Sequence, residues 1–263
     1  MLGAIAGDVI GSPYERRSVK SEDFPLFSAQ SRFTDDTVMT LAVAKALKEA
    51  AEQGEEPGAM AVKNMQSLGR QYPNCGYGGR FKAWLFSDRP RPYGSFGNGA
   101  AMRVSACGWA AKSLEEARRL SRAVTEVTHN HPEALKAAEA VACCIFLARQ
   151  GESRGEIRKF VTESFYPLDF SLDDIRRDYR FDSSCGGSVP QAIEAFLEGD
   201  TFEEAVRGAV SLGGDSDTQA AIAGSIAEAC GGVPEDIGRE ALARLDAPLR
   251  MLFDETTRWL RQF

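Results

Sequence analysis

Long, alanine-rich apolar runs constrain the fold of this chain more than any other feature of its sequence. One run begins at Thr218 and ends at Gly231-Gly232, and a second begins at Val38. Their spacing is typical of buried helices, and no alternating strand pattern longer than a few residues occurs elsewhere. The 263 residues therefore predict an all-α fold, a single-domain multi-helix orthogonal bundle over 1–263, with functional loops gathered at one end.

The same periodicity sets approximate helix positions along the chain. A small-residue stretch at 2–11 predicts a closely packed first helix, in which Asp8 would be a buried structural acid. Residues 18–33 lack a period and residues 166–188 are rich in Asp and Arg, so both segments are predicted as connections. Further helices are predicted at 36–53, 58–71, 81–86, 101–112, 114–127, 134–149, 156–165, 189–197, 201–211, 218–230, 236–245 and 248–261.

Charge and composition exclude several classes of protein. The formal net charge is -7, which argues against general nucleic-acid binding because binders of the phosphate backbone usually carry a basic face. No apolar run is long enough to cross a bilayer and the start of the chain lacks a basic region, so we expect a cytoplasmic protein without a membrane partner. The six cysteines form no CxxC pair, which favours reduced and mostly buried thiols.

Two short acidic turns stand directly before the apolar runs. Asp215 and Asp217 follow a glycine pair, and Asp35 and Asp36 follow Thr34. Residues two apart cannot share one face of a helix, so Asp215 and Asp217 must lie on irregular backbone or in a first helical turn. Helix capping without a metal is the simpler interpretation, but capping needs only one such side chain.

If the two turns meet in space, four carboxylates and two or three hydroxyls would share a cleft. Mutual repulsion makes that charge density unfavourable unless cations are bound. Ligands that are all oxygen atoms favour Mg²⁺ or Mn²⁺, and two adjacent ions are plausible.

Two glycine-rich loops, at 72–79 and 89–100, are candidate cradles for an anion, because glycine lets backbone N–H groups approach a ligand closely. Neither follows a predicted strand, so neither is a dinucleotide or P-loop fingerprint. Phe96 could stack on a base or could be a buried anchor of its loop.

His129 and His131 have a spacing that does not suit a zinc site. We predict a ligand hydrogen bond for His129 and a structural or exposed position for His131.

The ordered set of motifs resembles the ADP-ribosylglycohydrolase family, which includes the dinitrogenase reductase-activating glycohydrolases and the ADP-ribosylhydrolases. The resemblance covers nearly the whole chain. The residues that carry it are Gly7-Asp8 with Gly11 and Glu15, Phe33-Thr34-Asp35-Asp36-Thr37, Gly97-Asn98-Gly99-Ala100-Ala101-Met102-Arg103, Thr128-His129-Asn130, Ser188-Val189-Pro190-Gln191-Ala192, and Ser211-Leu212-Gly213-Gly214-Asp215-Ser216-Asp217-Thr218.

The resemblance implies roles for specific residues. A pair of Mg²⁺ ions, with Mn²⁺ as an alternative, would be held by Thr34, Asp35, Asp36, Asp215, Asp217 and Thr218. Glu15 would be a carboxylate beside the scissile ribose, and either Glu15 or Asp35 would transfer the proton. The substrate would be lined by Gly76, Gly78, Gly94, Ser95, Phe96, Gly97, Asn98, Gly99 and His129.

The implied function is metal-dependent hydrolysis at C1″ of the ribose, which releases ADP-ribose. The partner would be an ADP-ribosylated protein, linked through Ser or Arg, or a small conjugate such as O-acyl-ADP-ribose, and the leaving group stays open. One alternative is a non-catalytic ADP-ribose-binding protein. A metal-dependent phosphohydrolase fits less well, because Gln219 stands where an Asp-based phosphatase motif requires Thr or Val.

Overall fold

Helices account for almost all the regular secondary structure of this protein. The structure is a computed structural model that describes residues 1–263. It contains no β-strand, only an isolated bridge between Gly97 and Ser184, so the predicted all-α class is confirmed. A 3-10 turn spans Asn98–Ala100. The helices are α1 Leu2–Gly11, α2 Asp35–Gln53, α3 Pro57–Gln71, α4 Gly79–Leu85, α5 Ser105–Ala110, α6 Leu114–Thr125, α7 Pro132–Arg149, α8 Arg154–Ser164, α9 Leu172–Arg176, α10 Cys185–Glu198, α11 Phe202–Ser211, α12 Ser216–Gly231, α13 Glu235–Leu242 and α14 Ala247–Leu260.

Helix α12 is the centre of the bundle. Every residue from Ser216 to Ala227 is buried, and the helix packs against α1, α7, α10 and α11. The second apolar run forms α2, which packs against α3 and α14. A single cluster of buried apolar residues extends from Met1 to Leu260. The two alanine-rich runs are therefore core helices, and small side chains let their neighbours approach closely.

The closest approach in the core is between α1 and α12. A Cβ atom added at Gly7 would lie 2.1 Å from the carbonyl oxygen of Ala220, and Gly3 and Gly11 are in similarly close contact with α12. These glycines are spaced one helical turn apart, so they form a flat stripe along α1. This contact brings Asp8, which follows Gly7, towards the first turn of α12.

Substitution Gly7→Ala is expected to lower the free energy of unfolding by roughly 1–3 kcal/mol, because the added methyl group would collide with backbone that cannot turn aside. Gly231→Ala is the matched control. Nothing lies within 4 Å of a Cβ atom at Gly231, and its φ is not positive. Denaturant unfolding of the two variants measures the difference, and equal stabilities would contradict the close contact.

The largest departures from the predicted helices occur at α10, α9 and α5. Helix α10 begins at Cys185 rather than at 189, because the Ser184 side chain accepts a hydrogen bond from the Gly187 N–H and starts the helix one turn earlier. The connection 166–188 contains α9, which a capping box between Ser171 and Asp174 stabilises. The helix predicted at 101–112 is only Ser105–Ala110, since residues 101–103 form a turn that follows the 3-10 turn.

The six cysteines form no disulfide. Four are buried, whereas Cys75 is half-buried and Cys230 is exposed. None of the helices has both the length and the apolar character needed to span a membrane.

Candidate metal centre and cleft

The two acidic turns meet at the N-terminal ends of α2 and α12. Thr34 caps α2 and Asp215 occupies the capping position of α12. The Thr218 hydroxyl donates a hydrogen bond of 3.2 Å to Oδ2 of Asp36, which joins one turn to the other. The two turns therefore meet in space, which is the condition on which the metal hypothesis depends.

A buried acidic triad lies where the turns meet. One carboxylate oxygen from each of Asp8, Asp36 and Asp217 lies within 4.8 Å of the other two. All three side chains are buried. The triad therefore concentrates negative charge in a region that excludes water, and it could hold a metal ion.

Asp8 belongs to the triad and also organises the start of α2. Its carboxylate accepts hydrogen bonds from the backbone N–H and the hydroxyl of Thr34, at 2.9 Å and 2.7 Å. It accepts two more from the backbone N–H and the hydroxyl of Thr37. Asp8 is thus buried and hydrogen-bonded as predicted. Its place in the acidic cluster was missed, although the Gly7 and Gly11 spacing indicated that this face of α1 is closely packed.

Burial and mutual repulsion raise the pKa values of the clustered carboxyl groups. Burial raises the pKa of Asp8 to about 6, against the hydrogen bonds from Thr34 and Thr37. Burial, reinforced by the charge of Asp8, raises the pKa of Asp35 to about 8 and that of Asp36 well above its ordinary value. Without a compensating positive charge, the ionised forms of Asp35 and Asp36 are therefore unfavourable at neutral pH.

The donor atoms of the cluster fit a divalent cation. Oδ1 of Asp36 is buried and has no hydrogen-bond partner, which is unusual for a buried polar atom. The pKa of Asp217 is also raised well above its ordinary value by burial and then by the charge of Asp36. The available donors are carboxylate and hydroxyl oxygens, which suit Mg²⁺ or Mn²⁺ better than zinc.

Asp35 and Asp215 lie at the margins of the triad. Asp35 is half-buried, and its N–H donates a 2.9 Å hydrogen bond to the carbonyl of Cys75. A Cβ atom at Gly76 would lie 2.7 Å from Oδ1 of Asp35, and φ at Gly76 is +117°, so only glycine fits there. Asp215 is buried, and its Oδ2 accepts a 2.8 Å hydrogen bond from Nδ2 of Asn98.

Glu15 follows the end of α1 and is half-buried. No hydrogen bond joins its carboxylate to the cluster, but its negative charge is among the causes that raise the pKa values of Asp35 and Asp215. Glu15 is therefore close enough to act on the same cleft while its carboxylate remains free.

The glycine loop that contains Gly94–Gly99 is paired with the segment before α10. The N–H of Asn98 donates to the carbonyl of Ser183 at 2.8 Å, and Gly97 forms the isolated bridge with Ser184. At the other end of the loop, the Gly94 N–H donates to Oδ1 of Asn130 at 2.8 Å. The loop is therefore fixed at both ends. The hydroxyl of Ser95 accepts a hydrogen bond from the Gly97 N–H.

Phe96 is 53% exposed, and its ring meets the ring of His131 edge-on at 5.6 Å. The alternative that Phe96 is a buried anchor of its loop is therefore wrong, and its face is free to contact a ligand. Gly78 occupies the capping position of α4, and a Cβ atom there would meet nothing within 4 Å. The backbone of the 72–79 loop is therefore also open at Gly78.

The two histidines have different environments. His131 is exposed and caps α7, with Nδ1 accepting a hydrogen bond from the Glu133 N–H, as expected for a structural residue. His129 is 5% exposed, and its Nδ1 lies 2.7 Å from the Thr128 hydroxyl. Burial, and then the charge of Arg103, holds the pKa of His129 well below its ordinary value, so the imidazole is neutral at pH 7.

The family model described as ADP-ribosylglycohydrolase matches residues 1–262. The chain belongs to this family. The resemblance inferred from the sequence motifs is confirmed across the whole chain.

Two curated relatives and one solved structure are similar to this chain. The ADP-ribosylhydrolase ARH3 of Bos taurus is 28% identical over 89% of this chain and 84% of its own length. The human ARH3 is 26% identical over 89% of this chain and 85% of its own. A structure described as an ADP-ribosylglycohydrolase-related protein complex has a TM-score of 0.69 and 24% identity, and the similarity covers 95% of this chain and 94% of that one. That likeness supports the all-α fold.

Membership of the ADP-ribosylglycohydrolase family supports a glycohydrolase that acts on ADP-ribose linkages.

Two side chains in the family motifs have contacts that the sequence did not reveal. Asn98, predicted to line the substrate, uses its amide to hold Asp215 and the Ser188 hydroxyl. Arg103, which had no predicted role, is completely enclosed beside Thr128.

Proposed function

We propose that this protein is a divalent-metal-dependent ADP-ribosyl hydrolase that cleaves the bond at C1″ of the ribose and releases ADP-ribose. The observation that carries the proposal is the buried triad of Asp8, Asp36 and Asp217, with Oδ1 of Asp36 left without a partner. In a chain of this family, such a cluster beside two glycine loops supports a metal-assisted glycohydrolase.

The proposed metal ligands are the six residues of the two acidic turns, and the proposed ions are two Mg²⁺, with Mn²⁺ as the alternative. Asp8 is not one of these six residues, and most of its hydrogen bonds hold Thr34 and Thr37: Oδ2 accepts three and Oδ1 accepts one. Since Oδ1 keeps a free lone pair, Asp8 can contribute an oxygen beside the proposed ligands while it fixes the start of α2. The ligand set is Thr34, Asp35, Asp36, Asp215, Asp217 and Thr218.

Bound Mg²⁺ would hold ribose hydroxyls and a water molecule and would offset developing charge. Hydrolysis forms a bond between the water oxygen and C1″ while the bond from C1″ to the leaving group breaks, through an oxocarbenium-like state. A carboxylate takes one proton of the water and passes a proton to the leaving group, which returns the carboxylate to its starting state. We assign the proton acceptor to Glu15 because Asp35 is needed as a ligand, whereas Glu15 makes no hydrogen bond to the cluster.

The substrate is proposed to lie across the two glycine loops. Backbone N–H groups from Gly76 and Gly78, and those of the 94–99 loop that are not bonded within the protein, would face the diphosphate. Within that loop, the N–H groups of Gly94, Gly97 and Asn98 are already used. The exposed ring of Phe96 would contact the adenine end, and His129 would face the ribose-phosphate portion. The substrate classes are protein linked through Ser or Arg and O-acyl-ADP-ribose.

Release of free ADP-ribose from Ser-linked, Arg-linked and O-acetyl substrates, with Mg²⁺ and with EDTA, tests the proposed function. We expect release from at least one substrate in Mg²⁺ and a loss of at least about a hundredfold in EDTA, because both the sugar and the water lose their positioning. Full activity in EDTA would exclude the metal-dependent mechanism. Binding of all the substrates without release of ADP-ribose from any of them would instead identify a non-catalytic ADP-ribose-binding protein.

A further inference from the structure

Arg103 is the largest fully buried side chain of the protein, at 1% exposure, and it forms no salt bridge. Its one hydrogen bond runs from Nη2 to the Thr128 hydroxyl at 2.7 Å, and Nε has no partner. The guanidinium also lies 5.6 Å from the centre of the Phe81 ring. Burial lowers the pKa of Arg103 to about 10, so the group is still charged at neutral pH. A buried, unpaired cation is costly, which points to a role beyond packing.

The hydrogen bond from Arg103 determines how the Thr128 hydroxyl can be used. Guanidinium groups only donate, so Arg103 occupies a lone pair of Oγ1 and leaves the hydroxyl proton free. Donation by a cation also polarises the hydroxyl and makes it a better donor. Two acceptors are available, Nδ1 of His129 at 2.7 Å and the carbonyl of Thr125 at 3.4 Å. The contact to Thr125 is close to the length limit of a hydrogen bond, so we expect the hydroxyl to donate to Nδ1, which would place the imidazole proton on Nε2.

Nε2 of His129 faces the glycine loop. A Cβ atom at Gly99 would lie 3.4 Å from Nε2, and one at Gly97 would lie 3.8 Å away. The absence of side chains at these two positions leaves space in front of the Nε2 atom. An N–H group there can donate to an oxygen atom of a ligand that lies along the loop.

We propose that Arg103 is a positioning residue that acts through Thr128 to hold His129 as the neutral tautomer with its proton on Nε2, ready to donate to a diphosphate oxygen of the nucleotide. This inference rests on the proposed function for the identity of the ligand. Its internal part, the chain from Arg103 to Thr128 to His129, depends only on the contacts between the three side chains.

The tautomer can be read directly by long-range ¹H–¹⁵N NMR of the imidazole nitrogens in the full-length protein. The chain has only two histidines, and His131 is an exposed internal control whose spectrum should be the same in every variant. In the wild type we expect His129 to be protonated on Nε2. Substitution Arg103→Met should shift protonation towards Nδ1 and weaken the binding of ADP-ribose about tenfold, the scale of one hydrogen bond to a charged group.

Two substitutions at Thr128 that change the size of the side chain little test the same proposal if Arg103→Met fails to fold. Thr128→Val removes the hydroxyl and should reproduce both the tautomer change and the weaker binding, whereas Thr128→Ser keeps the hydroxyl and should retain the wild-type tautomer. A contact that is the same in ground and transition states should appear as a raised KM with little change in kcat. A purely structural role would instead reduce the active fraction and leave KM unchanged.

A wild-type His129 protonated on Nδ1, or a spectrum of His129 that is unchanged in both Arg103→Met and Thr128→Val, would overturn the proposal. Failure of the proposed function is separate from this result. It would appear as no release and no binding of ADP-ribose by the wild type, while the tautomer of His129 would still be measured in the absence of any ligand.

Discussion

Asp36→Asn and Asp217→Asn are each expected to lose divalent-cation binding and turnover together. Both carboxylates belong to the buried triad, and an amide removes the negative charge while it keeps the size of the side chain. Turnover should fall by at least about a hundredfold, since a misplaced metal can no longer position the sugar and the water. Calorimetric titration with Mg²⁺ and Mn²⁺, paired with an assay for released ADP-ribose, measures the two effects on the same preparation.

Two further variants separate the metal effect from other causes of inactivity. Asp169→Asn makes the same chemical change at an exposed position and should leave both measurements unchanged. Glu15→Gln should retain metal binding while its turnover falls, because Glu15 is assigned to proton transfer. Normal Mg²⁺ affinity in both triad variants would contradict the metal assignment. Lost metal affinity in Glu15→Gln would move that residue into the ligand set.

The acidic turns could be predicted from sequence because each combines a cap, a pair of acids and an apolar run within about ten residues. Local patterns of this kind also identified the first helix, α2 and α12. That the two turns meet did not follow from either pattern alone. The argument for it was that helix capping needs only one acidic or hydroxyl side chain, whereas each turn has more than one. The structure brings the turns together through Thr218 and Asp36.

Other features depend on contacts that no local pattern contains. Asp8 joins the cluster only because the glycine stripe of α1 lies directly on α12. Arg103 gains its role from Thr128, which lies in a different segment, and Asn98 reaches across the cleft to Asp215. Likewise, nothing in the loop composition indicated that Phe96 would be exposed rather than buried. Residues whose partners are distant in sequence therefore account for most of what was missed.

In the absence of divalent cations, the protein is expected to lose stability as the pH rises from 5 to 8. Unfolded aspartates titrate near 3.9, whereas burial raises the pKa of Asp8 to about 6 and that of Asp35 to about 8 in the folded protein. Over this range the folded state binds more protons than the unfolded state, so the free energy of unfolding falls with rising pH. For Asp8 alone, the loss between pH 5 and pH 8 is on the order of 1 kcal/mol, or a few degrees in Tm for a domain of this size.

Divalent cations should reverse this dependence, because a bound ion stabilises the charged form of the carboxylates and the folded state that holds them. Thermal unfolding at pH 5, 6, 7 and 8, in EDTA and in Mg²⁺, measures the effect. In Asp36→Asn one of the repelling charges is gone, so Tm in EDTA should fall less steeply and Mg²⁺ should no longer raise it. Asp169→Asn should follow the wild type in both conditions. A Tm that stays constant or rises with pH in EDTA would show that the buried carboxylates are already compensated within the protein, and the electrostatic case for a metal at this site would then be lost.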